Sequence, residues 1–214
     1  MLACNAEYKV VYNIINELKT IGGGHVMRIY TIGHFDYSLD KFLEMLQTAG
    51  ITLVTDVRSF PNSKKHPQYN QQSFQEWLEN NKIKYFHNIL LGGRRKQSSI
   101  VGVTLNEGWD NQSFHNYADY TLTDEFKEGI QSLMEEAKEN TVAILCAERH
   151  PSRCHRLIIS NWLAAHDVNV DHIIVNNKEK IEIVQHELGQ WGAMPIIEDD
   201  GEIVYPKNTT SKND

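Results

Sequence analysis

Cysteine is scarce in this chain. Three are present, an odd number that builds no disulfide framework, so the fold must rest on a hydrophobic core, and a reducing compartment, the cytoplasm, is expected. Long apolar runs are missing as well. None approaches the roughly 20 residues needed to span a bilayer, and no membrane partner is expected. The opening stretch MLACNAEYKVVYNIINELK lacks the basic start and the uninterrupted apolar centre of a secretory signal. Proline (5) and glycine (13) are too few for a low-complexity or fibrous chain. Positive charge is in deficit: 21 Lys and Arg stand against 28 Asp and Glu, a formal net charge of −7. That balance removes broad, non-specific attraction to nucleic acid or acidic membrane. It leaves local basic patches at Lys64–Lys65, Arg94–Lys96 and Arg149–Arg156, which suit a small anionic ligand.

What is present suffices for one folded domain. The 214 residues are 41% apolar and 23% charged, and a chain of this length buries roughly 70% of its unfolded surface without a disulfide or metal staple. The expected organisation is an N-terminal helical extension over residues 1–26, a single α/β domain over 27–206 and a disordered tail over 207–214. In residues 1–20, Val10, Val11, Ile14, Ile15 and Leu18 recur at helical spacing. From Arg28 onward strand and helix patterns alternate. Strands are predicted at Ile29–Ile32, Ile51–Val57, Ile83–Phe86, Val142–Leu145 and Val168–Val175. Helices are predicted after the cap Ser38, after a Ser73-x-x-Glu76 capping box, after the cap Thr123, over Ser152–His166 and over Lys178–Leu188. Leu90–Asn111 is weakly periodic and reads as a long loop. This alternation predicts a mostly parallel sheet with helices on both faces, a three-layer, Rossmann-like α/β architecture. Nothing in the sequence points to an oligomeric state.

Such sheets bind ligands outside the carboxyl ends of their strands, and here those ends are polar. The first strand runs into Gly33-His34, the second into Asp56-Val57-Arg58, and the most apolar one into Cys146-Ala147-Glu148 followed by Arg149, Cys154, His155 and Arg156. A parallel sheet brings all three sets to one rim.

The strings YTIGH, VTDVRSFPNS, LGGRR, FHNYADY and LCAERHPSRCHR occur in that order. Together they resemble the domain-of-unknown-function family 488 over about residues 28–174. The resemblance implies an α/β fold and a polar pocket, and no particular activity. This chain departs from it at Phe35, where many relatives carry serine, and matches a later histidine segment only loosely at His186-Glu187-Leu188. The first 26 residues lie outside the resemblance, and Met27 is an alternative start.

Three chemistries can use the rim residues. The first is nucleophilic or redox cysteine work. Cys146, closing an apolar strand, reads as a buried structural thiol. Cys154 is expected in the first turn of a helix, where the dipole favours a thiolate by about 0.3–1 kcal/mol, so that reactivity needs the arginines too. A cysteine-phosphatase loop is excluded, because Arg153 follows Cys146 after six residues instead of five, in a segment with no glycine. The second is a metal site from Cys146, Cys154 and His155, with His34 as a fourth ligand. The C-x7-C-H spacing is unusual for zinc, and adjacent side chains on a helix point apart, so a metal is the less favoured cofactor. The third is anion recognition with acid–base catalysis. Arg58 and Arg156 can grip a phosphate or carboxylate in pairs of hydrogen bonds, Gly92-Gly93-Arg94 offers bare amides and charge, and His34, Asp56, Glu148 or His155 can move a proton. Set against this, Asp56, Arg58, Glu148 and Arg156 can form a purely structural ion network. Trp109, Phe114 and Tyr117 can stack a base or cover a core edge, and His66, His150 and His166 read as surface residues.

The favoured reading is an enzyme, a hydrolase or transferase, acting on a phosphate- or nucleotide-like substrate. Cys154 or His155 would do the chemistry, with Asp56, Glu148 and His34 assisting and Arg58, Arg156, Gly92, Gly93 and Arg94 binding the anion. The alternatives are a non-catalytic nucleic-acid or ligand-binding module and a Cys/His metal-binding protein.

Overall fold

The structure, a computed structural model, describes residues 27–207. A six-stranded sheet has the order β3-β2-β4-β1-β5-β6, from β1 (Arg28–Gly33), β2 (Leu53–Asp56), β3 (Lys84–His87), β4 (Val142–Cys146), β5 (Asn169–Val175) and β6 (Ile181–Gln185). All neighbours are parallel except β5 and β6. The helices are α1 (Leu39–Thr48), α2 (Gln71–Asn80), α3 (Gln112–Tyr120), α4 (Asp124–Glu136) and α5 (Arg156–Ala165).

Every residue of β4 is buried, as its unbroken apolar run requires. Its side chains alternate between two cores. Val142, Ile144 and Cys146 join α4 and α5 residues such as Phe126, Ile130, Leu157 and Trp162. Ala143 and Leu145 join Phe42, Leu46, Phe74 and Leu78 from α1 and α2. Two apolar cores on opposite faces of one sheet make the three-layer α/β fold. The chain steps from β1 outward to β2 and β3, then returns to insert β4 between β2 and β1. The strand order reverses there, which opens a crevice at the carboxyl ends.

Ser38 and Thr123 cap α1 and α4 through their side chains, as predicted. Four expectations fail for identifiable reasons. Lys178–Leu188 is not a helix. Asn176 Oδ1 accepts from the amides of Lys178 and Lys180 at 2.8 and 3.0 Å, closing a turn that sends Ile181–Gln185 back along β5 as an edge strand. The IEIVQ alternation there has a period of two, and the tight Asx turn decides for a hairpin. Ser73 does not cap α2, which starts at Gln71 after Asn70; its hydroxyl donates to the Asn70 and Pro67 carbonyls. The helix expected from Ser152 is broken: Pro151–Arg153 is a 3₁₀ turn, Cys154 is extended (φ −140°, ψ 145°), and α5 begins at Arg156. His166 is buried with its ring stacked on Trp162 at 3.7 Å between centroids.

Helix α3 and a small hairpin, β7 (Ile196–Ile197) with β8 (Ile203–Val204), went unmarked in the sequence. The helix expected over residues 1–20 and the tail beyond Lys207 lie outside the described residues. Among the described residues no helix is long and apolar enough to cross a membrane.

Ile144 is fully buried in the central strand. Ile144→Ala is expected to lower unfolding free energy by about 2–5 kcal/mol, read from urea denaturation, with an unchanged m-value.

Candidate active site at the strand-end rim

The first strand reaches the rim by close backbone approach. A Cβ on Gly33 would sit 1.8 Å from the Glu148 carbonyl oxygen. With no side chain there, the His34 and Phe35 amides donate to the carbonyls of Cys146 and Ala147 at 3.0 and 2.9 Å, carrying the β1–β4 pairing past the strand ends.

Asp56 closes β2 fully buried and grips Arg58 two residues on. Its carboxylate accepts the Arg58 backbone amide at 3.0 Å, Nε at 2.9 and 3.0 Å, Nη2 at 2.6 Å and the Tyr85 hydroxyl at 2.8 Å. Burial alone would lower the Arg58 pKa, but these bonds outweigh it and raise it. Burial, then the Asp56 charge, raises Tyr85 above ordinary phenols. The remaining Arg58 nitrogen, Nη1, lies 3.4 Å from His34 Nε2. Burial, followed by the Arg58 charge, brings His34 down to about 4. At neutral pH its ring is therefore uncharged: Nδ1–H donates to the Phe35 carbonyl at 2.8 Å, leaving Nε2 to accept from Arg58. The ring stacks on Tyr69 at 4.3 Å. His34 and Asp56 thus fix Arg58 from two sides.

His155 Nε2–H donates to the Val57 carbonyl at 3.1 Å, which turns the Nδ1 lone pair toward two thiols. Cys154 Sγ is 3.5 Å from Nδ1 and Cys146 Sγ 3.9 Å. The imidazole is held between the Tyr117 ring, 4.9 Å away, and Gly93. The extended backbone at Cys154 lets neighbouring side chains converge where a helix would have splayed them. For Cys154, burial would push the thiol up, but hydrogen bonding from Cys146 and the Arg156 charge hold it well below the ordinary range. Donation to Cys154, with burial, drives Cys146 well above it. The Arg156 amide also points at Cys154 Sγ, 3.5 Å away.

These groups face a cavity of about 300 Å³. Arg58, Cys146, Cys154 and His155 line it, together with Ala147, Glu148 and Arg153 from the β4–α5 segment and Ser59, Phe60, Gly93, Arg94, Ser113 and Phe114. Arg94 and Arg153 are exposed at the mouth, and the Arg94 guanidinium lies 5.4 Å from the Phe60 ring.

The sequence-derived candidates therefore separate. Cys154, His155, Glu148, Arg58, Gly93 and Arg94 line the cavity. Asp56 and His34 are not part of the lining and contact Arg58. Gly92 is outside the lining, packed against Ser59 and the Ile89 carbonyl. Arg95 donates to the Gly92, Ile89 and Leu90 carbonyls and stacks on Tyr120 at 3.6 Å, so it belongs to the loop's framework. Arg156 is only 1% exposed and is not part of the lining. Its Nη2 donates to the Glu148 carbonyl at 2.6 Å and its Nη1 to Thr31 Oγ1 at 3.3 Å. Trp109 and Tyr117 are buried in the core. Sequence reading missed Arg153, Phe60 and Ser59 as cavity residues. Arg153 sat inside the quoted motif; Ser59 and Phe60 directly follow Arg58.

A family model described as Domain of unknown function DUF488 matches residues 38–163, more than half of the chain. The chain belongs to that family. Comparison with curated proteins and with solved structures returns no match. The matched residues of this DUF488 protein include Asp56, Arg58, Gly93, Cys146, Cys154 and His155.

Behind the cavity a chain of buried polar groups anchors Arg156. Thr31 Oγ1 pairs with His172 Nδ1 at 2.7 Å, His172 Nε2 with His186 Nδ1 at 3.0 Å, and His186 Nε2 with Asn161 Oδ1 at 2.9 Å. One proton arrangement satisfies every step: the threonine donates to His172, His172 to His186, and His186 to the amide oxygen. Both rings must be neutral for it. Burial brings His186 down to about 4, and burial with the His186 charge lowers His172 further.

Two outcomes are expected. His34, His172 and His186 stay neutral in the fold while the unfolded chain takes up protons below about pH 6.5, so their contribution is intact above that pH and fades toward about pH 4. Each costs about 1.4 kcal/mol per pH unit in that window; imidazole NMR signals that titrate near 6.5 for all three would contradict the assignment. A Cβ on Gly93 would lie 2.3 Å from His155 Nδ1 and 2.7 Å from both Cγ and Cε1, on the face of the ring. Gly93→Ala should therefore shift the His155 resonances and leave those of His186 in place.

Proposed function

We propose that this protein is an enzyme that acts on a small phosphate- or nucleotide-like anion in the rim cavity. The substrate's charge rests on Arg58, with Arg94 and Arg153 at the mouth, and its reacting centre lies over the cluster of Cys146, Cys154 and His155. The observation that carries this reading is Arg58. A guanidinium whose Nε and Nη2 are held by Asp56 and whose Nη1 is met by His34 is locked in place, and it lines a cavity shared with two thiols and an imidazole. Pre-set donors of that kind bind an anion without first being ordered. His155, with Nε2 committed to Val57, offers Nδ1 as a proton acceptor beside Cys154. Phe60 and Phe114 give an attached base or ring an apolar wall.

Isothermal titration with inorganic phosphate, nucleoside monophosphates and sugar phosphates tests it. At least one is expected to bind, and Arg58→Gln should weaken that binding ten- to a hundredfold, the worth of about 1.5–3 kcal/mol for charged hydrogen bonds. No binding by any of these anions, or binding indifferent to Arg58→Gln, would refute the reading. Salt-steep binding to oligonucleotides that survives both Arg58→Gln and Cys154→Ser would favour a nucleic-acid module instead.

A further inference from the structure

We infer that Cys146, Cys154 and His155 together bind one soft divalent cation, zinc being the best match, with its fourth coordination position open to the cavity. This deepens the proposal above and rests on the same cavity being the site. The first observation is convergence. Sγ of Cys146, Sγ of Cys154 and a ring nitrogen of His155 lie within 4.8 Å of one another. Two sulfurs face the one nitrogen of His155 that Val57 leaves free, 3.5 and 3.9 Å away. Tetrahedral zinc with Zn–S of about 2.3 Å and Zn–N of about 2.0–2.1 Å spaces its sulfur and nitrogen ligands about 3.6 Å apart. The two sulfur–nitrogen distances bracket that value.

The second observation lies behind the ring. A metal-binding histidine ordinarily donates its other ring N–H to a carbonyl or carboxylate, which fixes the tautomer and the ring's orientation. His155 does so to Val57, and its ring is pinned between Gly93 and Tyr117. The Arg156 amide directed at Cys154 Sγ suits a thiolate ligand. Two thiolates and a neutral imidazole balance a divalent charge and match the soft N/S donors that zinc selects.

The third observation is the opening. Both sulfurs and the ring line the cavity that Arg58 faces. Three protein ligands with one free position is the arrangement of catalytic zinc; closed structural sites use four. The free position would take a water, or an anionic oxygen of the substrate gripped by Arg58. His34, which the sequence offered as a fourth ligand, is engaged by Arg58 and the Phe35 carbonyl and is not part of the cluster.

The full-length protein, reduced and stripped with chelator, is titrated with Co²⁺ and then with Zn²⁺. One Co²⁺ per chain is expected, with a thiolate-to-cobalt charge-transfer band and the intense visible bands of tetrahedral geometry, both abolished by one equivalent of Zn²⁺. Cys146→Ser, Cys154→Ser and His155→Ala should each weaken Zn²⁺ binding at least a hundredfold, with circular dichroism confirming the fold, while Cys4→Ser leaves it unchanged. Absence of the charge-transfer band in the wild-type protein overturns the inference, as does Zn²⁺ affinity that survives the double Cys146→Ser, Cys154→Ser change. A Cys146–Cys154 disulfide that forms equally fast with and without Zn²⁺ also overturns it. Arg58→Gln should leave Zn²⁺ affinity intact while weakening phosphate binding, so a failed metal site and a failed anion site give different results.

Discussion

The turn from β4 to α5 is tied back onto the sheet by a hydrogen bond from the buried Arg156 guanidinium to the Glu148 carbonyl at 2.6 Å. The donor comes from the first turn of α5 and reaches back under the end of the strand that precedes it. Gly33 makes the approach possible, since any side chain there would occupy the space of that same carbonyl. With the turn fixed, Cys146 at the end of β4 and Cys154 before α5 are brought to one imidazole. Were Arg156 removed, the Glu148 carbonyl and Thr31 would each lose a charged donor, and the histidine–asparagine chain behind Thr31 would lose its end point.

The two rim arginines show how burial divides roles. Taking a carboxylate and a guanidinium out of water costs several kcal/mol per ion, and good geometry is needed to offset it. Asp56 meets that demand with bonds from Arg58 and Tyr85, and Arg58 keeps one face on the cavity. Arg156 is turned wholly inward, onto a carbonyl and a hydroxyl. One arginine faces the cavity and the other holds its wall. The neutral histidines follow the same rule: His34 supports the outward arginine, while His172 and His186 connect the inward one to Asn161 through Thr31.

Much of the architecture was legible in the chain. The β4 run of five apolar residues, the Ser38 and Thr123 caps and the polar strand ends predict a parallel α/β sheet with its chemistry at one rim, and the rim does carry those residues. What misled was local ambiguity. IEIVQ fits a helix or a strand by composition, and only pairing with β5 settles it. Ser73-x-x-Glu76 has the form of a capping box, yet the 3₁₀ turn at Pro67–Tyr69 places the helix start at Gln71. A sequence window carries no information about such neighbours.

The sequence by itself determined the fold class, the family and which polar and thiol residues stand near the strand ends, because apolar periodicity and the order of motifs are properties of the chain alone. Tertiary structure decided which of those residues come together. Arg58 and Arg156, alike in the sequence, part ways according to which partner each buries against. Cys146 and Cys154, eight positions apart, share one nitrogen because Cys154 is extended and Val57, from a different strand, orients the ring. Convergence of that kind depends on backbone angles and on contacts between distant segments, and those exist only once the sheet has closed.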